Sequence, residues 1–414
     1  MSSHINLFLA LGHELASRGH RLSFFGISEN EPKIRAAGFD FYSTEPDHLP
    51  PGTLSEMMRQ MSELGSLAAL RLHGRFDQIR YEAILRRGPA LIERAGIDAL
   101  IVDQAEPCSG SLAEHAGLPW VSVANGLCMN TEPAVPPLFT SWRYSTHPLA
   151  IARNRLVYAG MKLATRSIEN LINRYRTGWG LKPFTRMDDS FSPFAQISQQ
   201  NREFDFPRKE LPDCFHYVGP IRSASKPAVD FPWDQLDGRP MIYASFGTFV
   251  NRHGRLYAIV AEACAGLDAQ LVLSLGGAAS PDDFQGLPGA PLVVGFAPQI
   301  QLLARASLVI THGGLNTTLE SLSLGVPLAA IPIAFDQPGV AARIRWTGTG
   351  EFLTLRQATS RHLRTMIQRV LSVPGYRDAA LRMRDAIAAT NGLPRSADII
   401  EEVIRTSAPV LRRP

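Results

Sequence analysis

ASLVITHGGLNTTLE, Ala306–Glu320, decides how this chain is read. Its first seven residues are an apolar, β-branched run of strand length, and its last eight open on two glycines and continue with helical periodicity. A strand that hands over to a helix in this way belongs to parallel α/β architecture. A tight turn needs one glycine, and this junction carries far more. The first backbone N–H groups of a helix have no intrahelical partner, and the helix dipole favours negative charge there. Gly313 and Gly314 let an anion approach the backbone closely. His312 donates from the strand end, and Asn316, Thr317 and Thr318 from the first turn. Glu320, one turn deeper, has the carboxylate to accept two ribose hydroxyls. The constellation suits a diphosphate joined to a ribose, although glycine, asparagine and threonine also make an ordinary helix cap.

Outward from this junction the same alternation repeats. Strand candidates are MIYASF (241–246), AQLVLSL (269–275), APLVVGF (290–296), ASLVITH (306–312) and PLAAIPI (327–333), mostly separated by helical stretches. The final fifty residues read as helical throughout. In the first half RLSFFGI (21–27), DALIVD (98–103) and PWVSVA (119–124) are strand-like, and long helical patterns cover about 54–95 and 150–178. The prediction is an α/β protein of two doubly wound domains facing a cleft, with ligands at the C-terminal ends of strands in both. The expected boundaries are an N-terminal domain over 1–217 and a Pro/Gly/Ser-rich linker over 218–240. A C-terminal domain follows over 241–390, and a last helix, 391–414, is a candidate to pack back on the first domain.

Composition narrows the function. The 414 residues are 45% hydrophobic and 19% charged, with a formal net charge of +4, as in an ordinary globular protein. No block of like charges marks a nucleic-acid surface. The four cysteines form no CxxC pair, which argues against a zinc site or a disulfide frame. No apolar run approaches the roughly 18 residues of a membrane span. A cytoplasmic location is expected.

Further pieces surround the first junction. YASFGT (243–248) is a second strand-to-turn junction whose Ser245, Gly247 and Thr248 could meet the same phosphates. GFAPQIQLL (295–303) ends a strand with an aromatic residue, Pro and Gln, suited to stacking on and bonding a flat base. PIAFDQPG (332–339) puts Asp336 and Gln337 side by side in a loop, a good grip for hexose hydroxyls, and also common residues at a helix start.

Taken together, residues 296–337 resemble the donor-binding signature of family 1 UDP-glycosyltransferases. The order matches throughout: aromatic-Ala-Pro-Gln, His-x-Gly-x-Asn-Thr, Glu three residues on, Gly-Val-Pro, then Asp-Gln. The resemblance implies a GT-B type pair of Rossmann-like domains. It implies that Phe296 stacks on uracil, with Gln299 and the Ala297 backbone on the base edge and ribose. His312, Gly314, Asn316, Thr317, Ser245, Gly247 and Thr248 would surround the diphosphate, Glu320 would take the ribose, and Asp336 and Gln337 the sugar. Phe296 and Leu315 stand where plant members usually carry tryptophan, so the resemblance speaks more firmly for the nucleotide than for the sugar.

An inverting transfer needs a base for the acceptor hydroxyl, and a histidine oriented by a carboxylate suits that task near neutral pH. The chain starts with HINLFLALGHELASRGH (4–20). His20 sits in a turn and His13 within the helix. His4 lies at the helix N-terminus, where the dipole is expected to depress its pKa. The segment is similar to the family's stretch beginning at its acceptor-activating histidine, which falls on His4, and Asp103 matches the orienting aspartate. VDQAEPCSGSLAEHAGLPWVSVANGL (102–127) and PIAFDQPGVAARI (332–344) are most similar to the carotenoid glucosyltransferase branch. Members of the family have a central strand ahead of the segment that starts here at Ser3. The expectation is that about ten upstream residues would supply it.

The reading that follows is a metal-independent hexosyltransferase using a UDP-sugar as co-substrate, with no separate cofactor, and a hydrophobic hydroxylated acceptor such as a carotenoid or flavonoid. The absence of Asp-x-Asp argues against a metal-bridged diphosphate. A sugar-nucleotide epimerase would need no acceptor loop, whereas 126–147 reads as one. A nicotinamide enzyme would show GxGxxG after a strand. A donor-binding partner protein without activity is the non-enzymatic alternative. Phe139, Trp142 and Tyr144, followed by spaced Arg and Lys to about residue 176, read either as a basic amphipathic membrane contact or as a solvated helix face.

Overall fold

The computed structural model describes residues 2–45, 52, 53, 56, 57, 66–223, 229–247, 254–277 and 279–412. The first half runs α1 (Ser2–Ser17), β1 (Ser23–Gly26), α2 (Glu31–Ala36), β2 (Asp40–Ser43), α3 (Ser66–Ala95), β3 (Leu100–Asp103), α4 (Ser109–Ala116), β4 (Trp120–Ala124), α5 (Pro148–Gly178), β5 (Ala195–Ser198) and β6 (Phe215–Tyr217). The second half runs β7 (Met241–Ser245), α6 (Gly254–Cys264), β8 (Gln270–Ser274), β9 (Leu292–Val294), α7 (Gln299–Leu303), β10 (Ala306–Thr311), α8 (Leu315–Leu322), β11 (Leu328–Ala330), α9 (Gln337–Trp346) and β12 (Gly350–Phe352). Three helices follow: α10 (Ser360–Ser372), α11 (Pro374–Ala388) and α12 (Gly392–Thr406).

Among the described residues all strand pairs are parallel. The second sheet has the order β12-β11-β10-β7-β8-β9. Chain direction across the sheet reverses between β7 and β10, the switch point at which a doubly wound sheet opens a crevice. Period-2 alternation explains why these strands read as continuous apolar runs. Met241 and Tyr243 of β7 enter one core with Val309, Leu319 and Val340, while Ile242 and Ala244 enter the opposite core with Val260, Ile310 and Ile367. A strand covered on both faces needs apolar residues at every position.

In the first half β3-β4-β5-β6 form one sheet and β1-β2 another. Among the described residues β1 pairs only with β2, and β3 only with β4. Helix α1 is anchored by Leu7, Leu11 and Leu15, buried against Val121, Val123 and Ile197 of the sheet. Burial of such side chains stabilises by roughly 1.5–3 kcal/mol each. Helix α12 packs on the same cluster through Ala397, Ile400 and Val403, and Glu401 meets Arg18 and His20.

Strands β2, β5, β6 and β12 lie outside the predicted set. Each is three or four residues long and lacks the longer apolar signature. The helix expected over 54–95 is described from Ser66; its earlier part lies largely outside the described residues. The four cysteines are buried and unpaired. Burial pushes the Cys128 thiol up to about 11 and the Cys264 thiol to about 12.

Candidate active site

The sheet of the second half delivers the first wall of the site. Ser245 and Thr311 pair in register at the ends of β7 and β10, so the loops that follow them emerge side by side. His312 leaves β10, and its ring lies between Gly247 and Gly314. A methyl group on Gly247 would come within 3.1 Å of the imidazole, and one on Gly314 within 2.5 Å. Glycine at both positions is therefore what makes room for the ring. Burial lowers the His312 pKa to about 4 against a smaller opposing effect of the Ser245 backbone, so the ring is neutral at ordinary pH. It can offer an N–H, not a charge. Gly314 stands at the N-cap of α8, whose first-turn N–H groups face the same opening. Thr317 is half-buried there. Thr318 is fully buried, with its hydroxyl unpartnered among the described residues. Thr248 lies outside the described residues.

The residues expected to take a base and ribose follow β9 in the chain. Phe296 is 62% exposed, with its ring over Gly277, where a methyl group would come within 2.1 Å of it. Ala297 behind it is half-buried against the core. Gln299, at the start of α7, bridges two buried side chains: its Nε2 donates to Glu320 Oε2 at 2.5 Å, and its Oε1 accepts from Tyr243 at 3.2 Å.

Asp336 and Gln337 open α9. The Gln337 side-chain Oε1 accepts from the backbone N–H of Ile333 and Ala334, both at 2.9 Å, which leaves its Nε2 hydrogens for other partners. The loop is tight enough that Phe335 adopts a φ of 56°, a left-handed conformation unusual for a bulky residue. Asp336 is half-buried and its Oδ2 accepts the Leu127 N–H at 3.0 Å. Burial raises its pKa, opposed by that bond and by the nearby charge of His4.

His4 comes from the opposite half. Its Nδ1 lies 2.5 Å from Asp103 Oδ2 at the end of β3, and Asp103 Oδ1 is held by the Ala105 N–H at 2.9 Å. Both carboxylate oxygens are thus engaged, which fixes the imidazole and leaves its Nε2 free to face the cleft. The His4 pKa is raised, not depressed. Burial pushes it down, but the hydrogen bond and charge of Asp103, with a contribution from Glu106, outweigh burial and the adjacent chain terminus. The helix-dipole expectation loses to a paired carboxylate at contact distance.

Other groups around the site carried no motif. Glu106 is gripped by Arg80, which also bonds Asp77 at 3.1 Å, and the other Glu106 oxygen has no partner among the described residues. Gln199, at the end of β5, bonds the Asn125 carbonyl and donates to Asn316 Oδ1 at 2.6 Å, tying the first half to the α8 turn. The Gly339 N–H donates to Leu138 O at 2.9 Å. Asp205 is buried with Arg343 at 2.7 Å, Arg208 at 2.9 Å and Tyr217 at 2.6 Å. Burial would raise its carboxyl pKa, but the two guanidiniums hold it well below the usual range. A lone Gln, Asp or Arg in a loop gives no spacing to read. Among the described residues no group of three or more His, Cys, Asp or Glu could hold a metal ion.

Comparison with known proteins agrees with this geometry. The family model for UDP-glucoronosyl and UDP-glucosyl transferase matches residues 89–389. Zeaxanthin glucosyltransferase of Pantoea ananas is 34% identical over 99% of this chain and 95% of its own length. That of Pseudescherichia vulneris is 34% identical over 99% and 97%. Among solved structures, the glycotransferase of kitacinnamycin superimposes with a TM-score of 0.75 at 21% identity, covering 96% of this chain and 95% of that one, and shares the GT-B fold. The chain belongs to the UDP-glucoronosyl and UDP-glucosyl transferase family and is a glycosyltransferase.

Proposed function

We propose that the protein moves a hexose, glucose in the first instance, from a UDP-sugar to a hydroxyl of a hydrophobic small-molecule acceptor, with inversion and without a metal. The observation that carries this reading is the His4–Asp103 pair opposite Asp336. His4 Nε2 takes the proton as the acceptor oxygen attacks the anomeric carbon, and the bond from that carbon to the diphosphate oxygen breaks as UDP leaves. Asp103 orients the ring and stabilises the imidazolium that forms. The α8 N-terminus and His312 receive the diphosphate through N–H groups, which supports a leaving group stabilised by dipoles instead of a cation. Glu320 and Gln299 take the ribose, Phe296 the base, and Asp336 and Gln337 the hexose hydroxyls. Asp336 would exchange its bond to Leu127 for one to the sugar.

The similarity to two zeaxanthin glucosyltransferases supports a carotenoid hydroxyl as acceptor. The deciding experiment measures UDP release from UDP-glucose with zeaxanthin, a flavonoid, a sterol and a macrolide, and identifies each product. Turnover with zeaxanthin at rates well above the other three is expected. No release above background with any acceptor sinks the proposal.

A further inference from the structure

Helix α5 carries a feature that the transfer reaction does not use. Leu149, Leu156 and Leu163 are 75%, 75% and 71% exposed. Single exposed leucines are common and need no explanation. These three recur every seven residues, which aligns them on one side of an α-helix along about 21 Å. One turn on from Leu149 and Leu156, Ala152, Ala159 and Gly160 are exposed and small, and the one polar residue on that line, Arg153, is half-buried with its guanidinium folded 3.9 Å over the Trp142 ring. Beyond the leucines, the later turns of α5 pack inward through Ile168, Leu171 and Ile172 onto Tyr81 and Leu85 of α3.

Charge selects what covers this stripe. Arg155, Lys162 and Arg166 are exposed along one flank of it, about one residue's rotation away. Arg155 and Arg166 form no ion pair among the described residues, and Lys162 donates only to the Thr185 carbonyl at 2.9 Å. Across its 31 residues α5 has a single acidic residue, Glu169, and that one is buried beside Thr165. The nearest acids of the following turn are already engaged, Asp188 by Arg186 and Thr131, and Asp189 by Thr185. An exposed leucine stripe flanked by unneutralised cations is the pattern of a helix lying in the plane of a lipid surface.

The helix is also coupled to the cleft. Asn154 donates to the Pro133 carbonyl and Tyr158 to the Val135 carbonyl, both at 3.0 Å. Those residues belong to the loop whose Leu127 and Leu138 contact Asp336 and Gly339. Exposed Met129 and Phe139 lie on the same loop.

We propose that the outward face of α5 docks the protein on an anionic bilayer, with Leu149, Leu156 and Leu163 at the acyl boundary and Arg155, Lys162 and Arg166 against lipid phosphates. A lipophilic acceptor could then pass from the bilayer to the cleft along the loop that α5 braces. The docking claim goes beyond the proposed reaction. Its test uses neither donor nor acceptor, so the two readings fail separately.

The test is flotation of the full chain with vesicles of phosphatidylcholine, with and without phosphatidylglycerol. Binding to the phosphatidylglycerol vesicles at low salt is expected, weakened by added salt. Replacing each of the three basic residues with Gln should lower partition by about fivefold per charge. A combined Leu149→Ser, Leu156→Ser, Leu163→Ser variant should lose at least tenfold. A single Leu156→Trp variant gives a second reading that asks little of the fold: its emission should shift to shorter wavelength when anionic vesicles are added. The proposal is overturned if the parent does not float, or if the triple leucine variant floats equally well. An unchanged Leu156→Trp spectrum also overturns it, as does a concentration-dependent dimer that the leucine substitutions dissolve.

Discussion

His4 Nδ1 lies 2.5 Å from Asp103 Oδ2, joining the first turn of α1 to the end of β3 across 99 positions of sequence. The contact leaves one imidazole nitrogen toward the cleft and fixes the tautomer of the neutral His4 ring before the acceptor's proton is taken. His4→Ala removes the base and should lower kcat by about 10²–10⁴. UDP affinity should stay at the parent value, because the nucleotide wall belongs to the other half. Steady-state rates and calorimetry on the same preparation check both. Parent-like turnover would mean that another group takes the proton.

The pH dependence follows from the direction of the His4 shift. The neutral ring is the active form, so kcat/KM falls as pH drops through a His4 pKa that lies above the usual 6.5. Asp103→Asn removes the charge that raises this pKa and leaves the burial that lowers it. The acid limb should move to lower pH while the plateau falls. A limb that stays in place would separate Asp103 from the base.

At the phosphate wall, His312→Ala should weaken UDP binding by at least tenfold, about 1.4 kcal/mol. It deletes an N–H donor and empties the slot between Gly247 and Gly314. Gly314→Ala should act in the same direction, because its methyl group would meet His312 Nε2 at 2.5 Å. Titration calorimetry with UDP reads both variants. Unchanged affinity in the two would remove His312 from the nucleotide site.

The buried Asp205–Arg343 contact links the two halves directly behind α9. Arg343→Met leaves Asp205 with Arg208 and Tyr217 but without its closest cation. Breaking one side of a buried pair costs about 3–5 kcal/mol, so urea unfolding should show a loss near the lower figure. Arg343 also holds the Gly339 carbonyl at 3.0 Å within the helix that starts at Asp336. KM for the sugar nucleotide should therefore rise even where the protein remains folded. A variant as stable as the parent would mean that water or a rearranged side chain replaces the guanidinium.

Much of the candidate nucleotide wall was legible because its residues are close in sequence. His312, Gly314, Asn316, Thr317 and Glu320 lie within nine positions, and one strand-to-helix junction is enough to bring them together. The long apolar strands β7, β8 and β10 were legible for a related reason: burial on both faces leaves an uninterrupted hydrophobic run. The short strands β5 and β6 carry no such run, since three or four residues between loops sample too little of the pattern. Thr318 shows the limit within a single turn, where adjacent threonines differ by about 100° in direction, so that Thr317 is half-buried and Thr318 fully buried.

By itself the sequence determined the α/β class, the parallel strands, the strand-to-helix junction after β10 and the glycines that it needs. These depend on local backbone geometry and on hydrophobic period, both written in consecutive residues. Tertiary structure alone decided the rest. It set the His4 pKa above its usual value where the helix terminus by itself would have lowered it, because a carboxylate 99 residues away lies within contact. It made His312 neutral, because burial removes the water that would stabilise its charge. It joined Asp336 to Leu127, Asn316 to Gln199 and Arg343 to Asp205, pairs more than a hundred residues apart. Electrostatics and hydrogen bonding fall off over a few ångströms of space, and the distance between two residues in space is settled only when the chain has folded.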